Sequence, residues 1–411
     1  MTTRAQCLDM DAADPLAFAR ARFRIPEGVI YLDGNSLGAL PASTGPRLEG
    51  VIALEWGEDL IRSWNKAYWI GLPLRLGKRI APLIGANEDE VIAADSTSVN
   101  LFKLAAAALK HQAPRRVILT ERENFPTDLY VLQGLEAMLG SAVELRMADR
   151  ERLLDALDVD VALIALTHVD YKTGEVHDMA AISSAAHAVG ALALWDLSHS
   201  AGAIEMALDR DDADLAVGCG YKYLNGGPGA PAYMFVACHL LDKLTQPLSG
   251  WMGHAAPFDF SERYRPANGM VRFLSGTPVI LGMVAFEEGL KTFEGVDMMA
   301  VEKKGRVLGD LFLSLVEEQC AGVGFTVACA HGPERRGSQV SLAHPEGYAI
   351  MQALIEASVI GDFRAPDVVR FGFPPLYTRY IDIFDAVTKL AEIMRREIWR
   401  DARFSIRATV T

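Results

Sequence analysis

Between about residues 90 and 240 the chain alternates short, unbroken apolar runs with amphipathic stretches, and this alternation restricts its fold more than any other feature. The runs Arg116–Thr120, Val161–Thr167, Ala191–Trp195 and Leu215–Cys219 are too short for helices and show no polar alternation, so they read as strands buried on both faces. Between them Asn100–Lys110, Leu129–Leu139 and Asp178–Val189 carry helical periodicity, and Gly190 supplies a C-terminal stop for the last. Strand and helix in strict succession mean an α/β fold with a mostly parallel sheet covered by helices. From about residue 290 longer helical patterns (Met298–Glu318, Ala349–Ala357, Ile383–Trp399) and a few strands suggest a smaller α+β domain. The expected division is a large domain over 61–285 and a small one built from 1–60 and 286–411.

Ligands of open parallel sheets sit beyond the carboxyl ends of the strands. The chemically able residues gather there. Asp196 and His199 follow Ala191–Trp195, Tyr221 and Lys222 follow Leu215–Cys219, Phe125 to Asp128 follow Arg116–Thr120, and Thr167 closes its own run. A lysine amine can hold an aldehyde cofactor as a Schiff base, and a carboxylate can keep a pyridine nitrogen protonated and electron-withdrawing. Lys222 and Asp196 therefore fit pyridoxal phosphate. Each residue alone has a plainer reading: a solvated lysine, a turn aspartate, a structural histidine. Their joint placement, with the glycine-rich Gly226-Gly227-Pro228-Gly229 behind Lys222, carries the argument. Ser96-Thr97-Ser98, ahead of a helix expected to start near Asn100, fits simple N-capping and phosphate binding equally well.

Other classes lose support. A net charge of −13 with no long basic run argues against nucleic acid or an anionic membrane. No apolar run reaches transmembrane length and the N-terminus lacks a signal-peptide core, so a cytoplasmic location is expected. The five cysteines are scattered without a CxxC pair, and the histidines show no ligand spacing, so neither disulfides nor a metal site is expected.

The segments Tyr31–Gly38 (YLDGNSLG), Phe125–Asp128 (FPTD), Asp196–His199 and Gly220–Gly229 (GYKYLNGGPG) resemble those of the kynureninase family, with Gly250–His254, Phe273–Pro278, Val369–Phe371 and Pro374–Tyr377 following in the same order. The resemblance implies a fold type I pyridoxal phosphate enzyme with a mostly parallel seven-stranded sheet in its large domain. It implies a homodimer with active sites at the subunit interface and L-kynurenine as substrate, cleaved at Cβ–Cγ to anthranilate and L-alanine. By position, Lys222 would be the Schiff-base lysine, Asp196 the pyridinium partner and Phe125 the residue stacked on the ring. His199 would fix Asp196 or a cofactor oxygen, Asp128 and Thr167 would line the cofactor, and Thr97, Ser98 and Tyr221 would meet the phosphate. Trp251 and Thr277 would join them from the second subunit. Arg370 would bind the substrate carboxylate, with Ser36, Trp64 and Gly276 near the substrate and Tyr221 as acid/base relay. Whether a ring hydroxyl, as in 3-hydroxykynurenine, is accepted stays open. The rivals are a cysteine desulfurase or class V aminotransferase of the same fold, and a catalytically silent cofactor-binding protein. Cys320 and Cys329 lack the small, serine-rich surroundings a desulfurase loop would need.

Overall fold

The computed structural model describes residues 2–407. Its main sheet has seven strands: β1 (Val91–Ala94), β2 (Val117–Glu121), β3 (Glu144–Ala148), β4 (Val161–Thr167), β5 (Leu192–Asp196), β6 (Leu215–Cys219) and β7 (Ala232–Val236). Their spatial order is β1-β7-β6-β5-β4-β2-β3, and β7 runs antiparallel to both neighbours while the remaining pairs are parallel. Successive residues on a strand face opposite sides. Val117 and Leu119 accordingly enter one apolar core, with the helices Leu72–Ile84, Met179–Ala188 and Ile280–Lys291. Ile118 enters the other, with Thr97–Gln112 and Pro126–Leu139. Apolar cover on both faces explains why β1 and β4 to β7 are buried along their whole length.

The four strands read from the sequence are present, within one residue at their ends. Three further strands lack a clear sequence signal. β1 is short, β3 is an edge strand with Glu144 and Arg146 half-exposed, and β7 follows directly on the glycine- and proline-rich turn. The helix expected from Asn100 starts three residues earlier at Thr97, because the Ser96 hydroxyl accepts the Val99 N–H and closes the first turn ahead of it. At the other end of the chain, Ile383–Trp399 is a helix over Tyr380–Arg395 followed by a separate short turn.

A second, four-stranded sheet pairs Thr326–Val327, Gln339–Ala343, Val368–Gly372 and Asp362–Arg364 antiparallel, in that order. The helices Met298–Gln319, Gly347–Glu356 and Tyr380–Arg395 share its core. The N-terminal helix Arg4–Ala12 joins the same unit, where the Asp11 carboxylate accepts the Tyr380 and Ile381 N–H groups at 2.7 and 3.1 Å. A carboxylate placed there satisfies amides that open a helix and meets its positive end. Among the described residues no helix is long and apolar enough to cross a membrane.

Candidate functional site

Sheet register assembles the centre of the site. Thr167 and Asp196 end β4 and β5 as direct partners, and Asp196 pairs with Val217 on β6. The turn after β2 delivers Asn124, Phe125 and Asp128 to the same edge. Asn124 Oδ1 accepts from Thr167 Oγ1 at 2.5 Å and from the Phe125 N–H at 2.8 Å, while its amide donates to Thr120 Oγ1 at 3.1 Å. This buried asparagine pins two of the expected cofactor residues, and sequence reasoning missed it. Its only signal is its place just ahead of Phe125.

Asp128 and Asp196 are both buried and hydrogen-bonded to each other, with Thr167 Oγ1 3.4 Å from Asp128 Oδ2. Burial, followed by the Asp196 charge, raises the Asp128 pKa well above the ordinary carboxylate range. Both causes favour the proton-bearing form of Asp128. A carboxylate oxygen of Asp196, buried at the end of β5, is the kind of acceptor that a protonated pyridine nitrogen requires.

Lys222 Nζ stands 3.0 Å from His199 Nε2 and 5.7 Å from the centre of the Phe125 ring. His199 is fully buried, and burial, then Lys222, Arg370 and Arg364, hold its pKa well below that of a free imidazole. It is neutral. The Tyr221 phenol is pushed up by the neighbouring Cys219, by burial and by Asp196, so it keeps its proton. The Lys222 loop is held against the Tyr31–Gly38 segment: Gly38 N–H donates to the Tyr221 carbonyl at 2.8 Å, and a Cβ at Gly38 would overlap the Lys222 carbonyl.

Beside this centre a cleft of about 400 Å³ is lined by Asp95, Ser96, Tyr221, Gly229, Gly276 and Thr277 among others. It opens at the start of the helix Thr97–Gln112, where the Thr97 and Ser98 amides precede any intrahelical acceptor. Hydroxyls, free helix-end amides and positive-φ glycines (Gly227 and Gly229) suit a phosphate. Gly276 and Thr277 line the cleft from the same chain, whereas the resemblance has Thr277 serving the second subunit.

Arg370 is 1% exposed on the strand Val368–Gly372, and Asp362 is its cross-strand partner. The expected bidentate face is already used. Arg370 Nε donates to Asp362 Oδ1 at 2.9 Å, and Nη2 donates to Asp362 Oδ2 and, at 2.9 Å, to Ser36 Oγ. Nη1 donates to the Tyr171 carbonyl. Four of the five guanidinium N–H groups are thus engaged, and one on Nη1 remains for a ligand. Arg364 sits beside it, 2.7 Å from Asp362 Oδ2. Asp33, whose Oδ1 is buried without a partner, has its pKa pushed up to about 7 by burial and by Asp362. Tyr171 links the two halves of the site, its ring edge-on to Phe125 at 5.1 Å. Trp64 packs on Trp69 and Trp251 on Phe258, both outside these hydrogen-bonded clusters. Among the described residues no group of histidine, cysteine and acidic side chains is arranged to hold a metal.

The architecture and the Lys222–Asp196 centre define a fold type I, pyridoxal phosphate-dependent enzyme. The fold is shared with a cysteine desulfurase from Thermococcus onnurineus NA1 (TM-score 0.77, 18% identity, covering 92% of this chain and 98% of that one). It is shared too with a C-DES variant carrying glycine covalently linked to its pyridoxal phosphate (TM-score 0.76, 17% identity, 91% and 99% covered). Sequence relatives are much nearer. The chain is 52% identical to kynureninases of Pseudomonas fluorescens and of Burkholderia mallei, over the full length of both chains in each case. Residues 301–390 match the kynureninase C-terminal domain. The chain belongs to the kynureninase family.

Proposed function

We propose that this site hydrolyses L-kynurenine at its Cβ–Cγ bond, giving anthranilate and L-alanine. The observation that carries the reading is Lys222 Nζ held at His199 Nε2, over the Phe125 ring and beside the buried Asp128–Asp196 pair, in a chain 52% identical to curated kynureninases. Pyridoxal phosphate, when bound, supplies an electron-withdrawing ring that takes up negative charge from the substrate carbons. Asp196 would accept the pyridine N–H, Asp128 would stay neutral beside it, and Phe125 would cover one ring face. The Thr97 and Ser98 amides and hydroxyls would hold the phosphate. The Lys222 amine would remove the proton from the substrate Cα. Tyr221, kept as a phenol, suits donation toward the γ-carbonyl oxygen as water adds there. The substrate carboxylate would meet the remaining N–H of Arg370 with the charge of Arg364 close by.

A homodimer belongs to this reading. Ile52, Leu54, Trp56, Leu60 and Ile61 form an exposed apolar stretch, and Trp251 is exposed as well, on surfaces a second copy would cover. A cytoplasmic location agrees with five free cysteines. The division at 61–285 against 1–60 and 286–411 stays part of this reading with shifted bounds: Leu290, Phe293 and Val301, and from the N-terminal segment Leu16, Phe23 and Val51, pack in the core beside the large sheet.

The desulfurase reading loses on thiol chemistry. Cys320 and Cys329 are buried, and burial pushes the Cys320 thiol up to about 11, far from a thiolate nucleophile. The exposed Cys238 follows β7, whose last residue pairs with the first residue of β6, so it lies at the sheet edge opposite Lys222. The test is anthranilate fluorescence with equimolar L-alanine from purified protein and L-kynurenine. Sulfide from cysteine without anthranilate would reverse the choice.

A further inference from the structure

Gln339 is a buried side chain of the small sheet that reaches across to the cofactor edge. Its amide touches three groups. Nε2 lies 3.2 Å from the Asp170 carbonyl and 3.0 Å from the Tyr171 carbonyl, and Oε1 lies 3.1 Å from His199 Nδ1. Backbone carbonyls only accept, so the end facing them must be the NH2 and both its hydrogens are taken. Rotating the amide would set Oε1 against two carbonyl oxygens. The orientation is therefore forced, and so is its consequence: only an N–H on His199 Nδ1 can satisfy Oε1.

We propose that Gln339 is a positioning residue that locks His199 in the Nδ1-protonated tautomer, leaving Nε2 as a lone-pair acceptor aimed at Lys222 Nζ. The proposal deepens the reading of Lys222 given above and rests on it for its catalytic meaning. The alternative tautomer would point an N–H at an amine that must itself donate, and it would leave Nδ1 and Oε1 as two facing acceptors. The charged groups bearing on His199 are Lys222, Arg370 and Arg364, all cationic, and Tyr223 packs edge-on against the ring. They oppose a doubly protonated imidazolium, so His199 serves as acceptor and not as acid. The same glutamine braces the 170–171 backbone onto which Arg370 Nη1 also donates. One side chain from the small sheet thus sets both the proton state beside Lys222 and the loop beside the anchor for the substrate carboxylate.

The test is a neutron structure of the deuterated holoenzyme, together with the Gln339→Met variant, which keeps bulk but has no amide. The wild type should carry deuterium on His199 Nδ1 and none on Nε2. In Gln339→Met, with only the Lys222 contact left to favour Nδ1–H, the deuterium should no longer be confined to Nδ1 and should be shared with Nε2, and kcat for L-kynurenine should fall at least about tenfold, as losing a residue that orients a functional histidine does elsewhere, with KM changing less than kcat. Deuterium on Nε2 in the wild type overturns the proposal. So does a variant whose deuterium stays wholly on Nδ1, as in the wild type, or one whose kcat stays within about twofold. If the variant does not fold, the wild-type map still decides. That map reads the tautomer whether or not Lys222 is the reacting amine, so failure of this inference is distinct from failure of the functional reading.

Discussion

Replacing Arg370 with methionine probes the most charged part of the site, because the structure gives that residue two tasks. It neutralises Asp362, which is 2% exposed, and it offers the one N–H left for a ligand. Removing one partner of a buried ion pair costs about 3–5 kcal/mol, since the other charge stays buried and uncompensated. Arg364 remains on Asp362 Oδ2 at 2.7 Å, so the lower end, about 3 kcal/mol, is expected. The loss should depend on pH, with a definite sign. Asp33 already has its pKa raised to about 7, and Arg370 is one of the groups holding it from going higher. A carboxyl whose pKa is raised by folding takes up its proton in the folded chain first, so stability is fullest on the acid side and falls as the pH climbs from the unfolded value toward the raised one. Without Arg370 the Asp33 pKa goes higher still, and that of Asp362, which Arg370 helps hold low, rises as well. Urea unfolding should therefore find the variant closest to wild type at pH 6 and furthest below it at pH 8.5. A charge-assisted contact contributes about 1.5–3 kcal/mol, so KM should rise by at least about tenfold. A variant as stable as wild type at both pH values, with an unchanged KM, would refute this account of the cluster.

Other expectations follow from the same geometry. Lys222→Ala should keep its fold and lose turnover altogether; near-normal anthranilate release would remove Lys222 from the chemistry. Because burial and the Asp196 charge favour the proton-bearing form of Asp128, Asp128→Asn should be tolerated, with kcat within about tenfold, while Asp196→Asn should lower kcat by about a hundredfold or more. Equal losses would contradict the assignment. Below about pH 7 Asp33 is neutral and the Arg370, Arg364 and Asp362 group carries a net positive charge, so KM should be lowest there and rise as Asp33 ionises. Asp33→Asn should flatten that rise, and a rise that persists would assign it to another group.

Much of this site is legible in the amino-acid sequence because its residues stand at the ends of continuous apolar runs, and such runs become parallel strands whose ends converge. Lys222, Asp196, His199, Phe125 and Thr167 are legible for that reason. Gln339, Asp362, Arg364 and Tyr171 are not, since each acts through a partner on another strand or loop: Asp362 meets Arg370 by antiparallel register, and Gln339 meets His199 across two sheets. Asn124 is hidden by an ordinary turn role. Arg370 is buried as its strand-like flanks suggest, but the sequence holds no sign that an acid eight positions earlier occupies its fork. The strand β3 goes unseen because an edge strand with charged, half-exposed residues lacks the unbroken apolar signature.

The central claim is that the Lys222 amine is the point at which the cofactor aldehyde is held. Borohydride reduction of the purified holoenzyme followed by peptide mapping tests it most directly. The account predicts a single pyridoxyl-modified peptide, with the label on Lys222; a label on any other lysine, or none, would contradict it.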